Sequence, residues 1–129
     1  MIKDLKLYKA LTCHKRDLIV PVAKKLRADN ARHIYVLDDQ EKPMGVISAA
    51  DIVNKVIAEE KDPKMLTAEQ IMNSPVDHVD SAQEVEFAMK IMMQRKTYSC
   101  LVTEKGKVKG IVDYKSVMDK IIHKVGGSK

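Results

Sequence analysis

The chain has 129 residues, enough for one domain or two small units sharing a core, and its 23 basic against 18 acidic residues leave a net charge of +5 distributed along the whole length. Apolar residues make up 45% and charged residues 32%, with only five Gly and four Pro, which excludes a disordered or low-complexity chain and implies a compact fold. The longest apolar run, Leu18 to Ala23, is far short of the roughly 20 residues of a membrane-spanning helix, and MIKDLKLYK lacks the continuous apolar core of a signal peptide, so a cytoplasmic protein without a membrane partner is expected.

In chain order, the first expected element is a short strand near Leu11–His14. A helix follows, with Asp17 as candidate N-cap, Ile19, Val22, Ala23 and Leu26 at helical spacing, and Pro21 in the tolerant first turn. Strand His33–Leu37 turns through Asp38 to Lys42 and returns as Met44–Ile47, and Ser48 opens a helix carrying Ile52, Val53, Val56 and Ile57. Thr67 and Gln70 are spaced as a capping box for a short helix in the connecting stretch 61–75. A second strand–helix–hairpin–helix series then runs from Val76–Val79 through a helix at Ala82–Gln94, strands Ser99–Val102 and Val108–Val112 around Gly106, to a last helix at Tyr114–Lys124. The methionines, including Met89, Met92 and Met93, fall mostly on helices and read as core filler. Cys13 and Cys100 have no CxxC or Cys/His spacing, so two buried thiols are expected in place of a disulfide or a zinc site.

The second series copies the first. An offset of 65 residues, taken without a gap, aligns Ala23 with Ala88, Lys25 with Lys90, Gly45 with Gly110 and Lys55 with Lys120, and carries the apolar pattern along with it. Two β-α-β-β-α units, 1–64 and 65–129, are therefore expected.

This repeat, the strand from Arg32 to Asp38, the hairpin to Gly45 and the heptapeptide GVISAAD (Gly45 to Asp51) resemble the cystathionine-β-synthase (CBS) domain pair. GVISAAD matches that family's Gly-hydrophobic-x-Ser/Thr-x-x-Asp signature, and Gly110 to Ser116 occupies the same place in the second unit. The resemblance implies an α/β (α+β) fold of two pseudo-symmetric units, and a regulatory, energy-sensing module that needs no cofactor. It implies an adenosine-containing nucleotide of the AMP, ADP or ATP class as regulatory ligand, in the cleft between the units. It also implies a homodimer, joined through helix faces carrying Ile52, Val56, Val117 and Ile121, and an unidentified regulated protein as partner.

Carried over by position, Asp51 would accept from the ribose hydroxyls, and Ser48 would hold ribose or phosphate beside Ile47. Arg32 and His33 would grip phosphate, and Val76, Asp77 and His78 would read the base. The chemistry is sound by itself, since a carboxylate suits a vicinal diol. Ser48 and Asp51 are equally a good N-cap and N3 pair, and the backbone of Asp77 alone is an open alternative to its side chain. In the second cleft, lined by Thr12 and Cys13, Asp113 stands where the signature has Ser or Thr, and Ser116 stands where it has Asp. This interchange implies a site degraded for nucleotide. Two other functions stay open: a dimerisation or protein-interaction scaffold with empty clefts, and a nucleic-acid binder, which the even spread of basic charge and the single Phe and four Tyr disfavour. No nucleophile–base pair, metal cluster or Gly-rich phosphate loop suggests an enzyme, and no metal site is expected.

Overall fold

The computed structural model describes residues 1–125, in two compact units. The first, Leu11–Val76, contains β1 (Thr12–His14), α1 (Ile19–Ala28), β2 (His33–Leu37), β3 (Pro43–Ser48), α2 (Ala49–Ile52), which runs on into a π-helical turn at Val53–Ile57, and α3 (Ala68–Ile71). α1 is the crossover between the parallel pair β1 and β2, and β2 pairs antiparallel with β3. The central strand β2 buries Ile34, Tyr35 and Val36 in succession, the pattern of a strand covered on both faces. Its core joins Ile34 and Val36 to Ile19, Val22 and Leu26 of α1, Ile47 of β3, and Val56.

The second unit combines the residues from Asp77 onward with Met1–Ala10. It contains β4 (His78–Asp80), α4 (Val85–Arg95), β5 (Ser99–Glu104), β6 (Lys107–Asp113) and α5 (Tyr114–Val125), with the same sheet order and strand directions. Ile2, fully buried, packs among Val79, Val85, Met92, Val112 and Val117.

The boundaries of packing therefore differ from the 1–64 and 65–129 halves of the repeat, whose last four residues lie outside the described ones. The segment that opens each repeat docks on the sheet that the other repeat's hairpin completes. Tyr8 exchanges two backbone hydrogen bonds of 2.8 Å with Ile111 beside β6, and Asn73, its counterpart at the 65-residue offset, exchanges two of 2.9 Å with Val46 of β3. This explains the two repeated glycines. A Cβ at Gly110 would sit 2.7 Å from the Tyr8 carbonyl oxygen, and one at Gly45 would sit 2.9 Å from that of Asn73 and 2.5 Å from Met72 Sδ. Only a residue without a side chain lets the segment approach so closely.

The repeat is not gapless. Thr12 pairs with Tyr35 as His78 pairs with Leu101, and α1 starts at Ile19 as α4 starts at Val85, so residues 12–37 match at an offset of 66. The hairpin arms β3 and β6 keep the 65-residue offset, because the first hairpin is one residue longer. The identities Ala23/Ala88 and Lys25/Lys90 are therefore coincidences of a slipped register.

Other expectations are corrected by packing. Asp17 does not cap α1, whose N-cap is Leu18 without a side-chain bond; its carboxylate instead accepts from the His14 N–H at 2.9 Å. Met89 and Met92 are core, but Met93 is 69% exposed. Val56 and Val117 are fully buried inside their own units and cannot form an outer face, whereas Val53, Ile57 and Ile122 are exposed. Both thiols are buried, and burial raises Cys13 to about 11 and Cys100 to about 12.

Candidate functional site

Ser48 ends β3, and its extended backbone turns the chain into α2. Its hydroxyl accepts from the Asp51 N–H at 3.1 Å while the Asp51 carboxylate accepts from the Ser48 N–H at 2.7 Å, a reciprocal capping box. The same oxygen, Asp51 Oδ2, also accepts from Asn73 Nδ2 at 2.8 Å, and Lys55 Nζ stands 3.7 Å from Oδ1. Burial pushes the Asp51 carboxyl up and is the largest single influence. The Ser48 N–H, the Asn73 amide, the Ser48 hydroxyl and the Lys55 charge together outweigh it and leave the group below its usual range. A partly sheltered carboxylate is thus kept ionised, with 17% of the side chain exposed.

His33 opens β2 directly across from Ser48 in the ladder, which brings the basic pair to the same corner. Burial holds the His33 imidazole below its ordinary value, with Arg32 adding to the effect and Asp51 opposing it, so near neutrality the ring is uncharged. Arg32, just outside the strand, is exposed and adds a positive charge next to His33. Ile47 is fully buried, so only its backbone can face a ligand.

The remaining candidates lie apart from this corner along the chain. Val76 is half-buried at the end of the first unit, Asp77 is paired with Arg95, and the exposed His78 has its Nδ1 3.0 Å from the Thr103 hydroxyl. The Asp77 side chain is thus occupied, which leaves its backbone for other contacts. Thr12 is half-buried, its carbonyl accepting from Lys25 Nζ at 3.3 Å, and Cys13 is a core thiol.

The interchanged pair behaves differently. Asp113 Oδ1 accepts from the Ser116 N–H at 2.8 Å, and the Ser116 hydroxyl bond is the main influence that lowers its pKa. The only carboxylate of the signature here is the cap itself, and Ser116 offers no acceptor equivalent to that of Asp51.

Sequence reasoning missed Asn73 and Lys55. Lys55 donates to Asn73 Oδ1 at 2.8 Å and to the Ile71 carbonyl at 3.0 Å, so Asp51, Asn73 and Lys55 form one chain of contacts. Lys55 could have been noticed, since it lies four residues after Asp51 on the same helical face. Asn73 carries no local signal, because docking of a segment 22 residues downstream brings it to the site.

The strand–hairpin–helix corner, repeated at a near-constant offset, is matched along the chain by the CBS domain family at residues 2–58 and 68–123. The chain belongs to the CBS domain family. An uncharacterized protein of Methanopyrus kandleri is 28% identical over 109 residues, 84% of this chain and 56% of that one. The CBS domain pair of protein MJ0100, solved with 5′-methylthioadenosine and S-adenosyl-L-methionine, is 25% identical, covers 95% of this chain and 99% of its own, and superposes with a TM-score of 0.73. A CBS domain protein of Pyrobaculum aerophilum complexed with AMP is 21% identical, covers 89% of this chain and 88% of its own, and has a TM-score of 0.75. The chain spans about half or less of the length of the curated relatives it matches. CBS domain pairs are in general regulatory modules. No helix among the described residues is long and apolar enough to cross a membrane.

Proposed function

We propose that this CBS pair is a non-enzymatic regulatory module that binds an adenosine-containing nucleotide at the Ser48–Asp51 corner and signals its occupancy to a partner protein. The observation that carries the reading is the asymmetry of the two signature turns: Asp51 is an ionised carboxylate with one oxygen not fully engaged, whereas Asp113 is consumed as a helix cap. In this reading Asp51 accepts from the ribose diol, Ser48 and the nearby backbone hold ribose or phosphate, and Arg32 neutralises phosphate, with uncharged His33 as a hydrogen-bonding neighbour. Val76, Asp77 and His78 contribute mainly backbone groups to the base. The ligands of two CBS neighbours, AMP in one and 5′-methylthioadenosine with S-adenosyl-L-methionine in the other, support the adenosine class without choosing among its members.

The test is a thermal-shift panel of AMP, ADP, ATP, S-adenosylmethionine, adenosine and GTP. A ligand at 100 times its Kd stabilises the fold by about 2.7 kcal/mol. Asp51→Ala removes an acceptor whose charge-assisted hydrogen bonds are worth roughly 1.5–3 kcal/mol each, and should abolish the shift while Ser116→Ala leaves it. If no adenosine compound shifts the melting temperature, the reading fails.

A scaffold role is favoured by one observation: Ile57 and Ile122, equivalent at the 65-residue offset, are each 58% exposed on their helices. Such repeated apolar exposure suits a homodimer, and light scattering at micromolar concentration should give twice the monomer mass.

A further inference from the structure

Asp51 is anchored from outside its own turn. Asn73 reaches it from the segment that docks beside β3, and that residue is itself fixed at both backbone groups by the bonds to Val46. Its side-chain orientation is dictated by its neighbours. The amide nitrogen faces the Asp51 carboxylate at 2.8 Å and the amide oxygen faces the Lys55 ammonium at 2.8 Å; the flipped amide would set oxygen against carboxylate and NH2 against ammonium. With Ser48 N–H and Asn73 Nδ2 both donating to Oδ2, that oxygen is spent on the protein. Among the described residues Oδ1 has only Lys55, at 3.7 Å, and keeps room to accept.

We infer that Asn73, oriented by Lys55, is the positioning residue of the nucleotide site: it ties Asp51 down through Oδ2 so that Oδ1 is presented to the ribose hydroxyls. This rests on the proposed nucleotide reading for its ligand, though not for the geometry. It makes the docked segment part of the site, so a CBS pair whose segment lifts from β3 loses affinity with every ligand-contacting residue unchanged. The second unit has Tyr8 in the corresponding place and no amide to do this. The charged groups that face Asp51 are Lys55 from the π-helical turn and the His33 ring from β2, the latter uncharged near neutrality.

Three variants of the full chain test it. Asn73→Ala should weaken AMP about tenfold in calorimetry, since the lost contact is a hydrogen bond to a charged group. Asn73→Asp places a second carboxylate beside Asp51 and should weaken adenosine, which carries no phosphate to titrate, at pH 7, with affinity recovering towards about pH 5 as the pair takes up a shared proton that restores a donor to Asp51. Ser74→Ala removes another tie of the same segment, the 2.8 Å bond from its hydroxyl to the Met44 carbonyl, without touching Asp51, and should leave affinity within about twofold. If Ser74→Ala weakens AMP as much as Asn73→Ala, the effect is general loosening and the positioning role is wrong. Carbon-detected NMR titration of the Asp51 carboxyl needs no ligand: its midpoint should rise in Asn73→Ala, and an unmoved midpoint overturns the inference. Failure of the native chain to bind any adenosine compound would instead sink the nucleotide reading, while the titration still decides whether Asn73 orients Asp51.

Discussion

Replacing each of the two repeated glycines by alanine should produce crossed effects. At Gly110 the new Cβ meets the Tyr8 backbone oxygen at 2.7 Å, where ordinary contact begins at about 3.4 Å, so the opening segment must retreat by about 0.7 Å. A retreat of that size carries the paired Tyr8–Ile111 bonds, each 2.8 Å, to the edge of hydrogen-bonding distance. Weakening two such bonds and straining the Leu7 contact should cost between about 2 and 4 kcal/mol, a fall in Tm of roughly 8–15 °C for a chain of this size. At Gly45 the nearest atoms belong to the flexible Met72 side chain, which can swing away, and the backbone obstacle, Asn73 O, lies at 2.9 Å, so the required retreat is about 0.5 Å and the loss should be smaller. Affinity should follow the opposite order. Gly45→Ala displaces Asn73 and should weaken AMP severalfold, whereas Gly110→Ala, whose new Cβ meets only Leu7 and Tyr8 and none of the proposed ligand residues, should leave it unchanged once the folded fraction is accounted for. Calorimetric melting with titration of AMP measures both quantities. A Tm within about 1 °C of native for Gly110→Ala would refute the close-approach account of these glycines.

Arg32→Ala should weaken AMP by about tenfold or more yet leave adenosine nearly unaffected, because the exposed guanidinium has only the phosphate to act on; equal losses would remove Arg32 from the site. The double change Asp113→Ser with Ser116→Asp should add a second binding event by calorimetry, and an unchanged stoichiometry would show that the interchange is not what disables that turn. Asp39 is held at about 2 chiefly by the Arg16 guanidinium, which bonds both its oxygens, so its contribution to stability is fully present above the unfolded value of 3.8 and is lost only as pH falls towards 2. Arg16→Ala should move the Asp39 midpoint up towards 3.8 by NMR titration, and a midpoint still near 2 would assign the depression to His14 and Lys15 instead.

Local chemistry was enough to determine the elements and the chief candidate corner. Alternating and helical apolar periods placed all six strands and the long helices within a few residues, with β2 found at His33–Leu37 as expected, and the spacing of Ser48 and Asp51 announced the capping box that forms. These are interactions between residues near in sequence, and they leave a periodic trace. Only tertiary structure decided what depends on contacts between distant segments. The slip from 65 to 66 residues is invisible in apolar periodicity, since a helix or a buried strand tolerates a one-residue shift of pattern, and it is settled by the ladder that pairs Thr12 with Tyr35 and His78 with Leu101. Val56 and Val117 look in sequence like an outer helix face and are core because the sheet lies against that side of the helix, while Val53, Ile57 and Met93 on the same helical pattern stay outside. Asn73 sits in a stretch with no helical or strand period, and it comes to Asp51 because Gly45 lets the segment approach within hydrogen-bonding distance of β3, a long-range fit that no local property of either residue encodes.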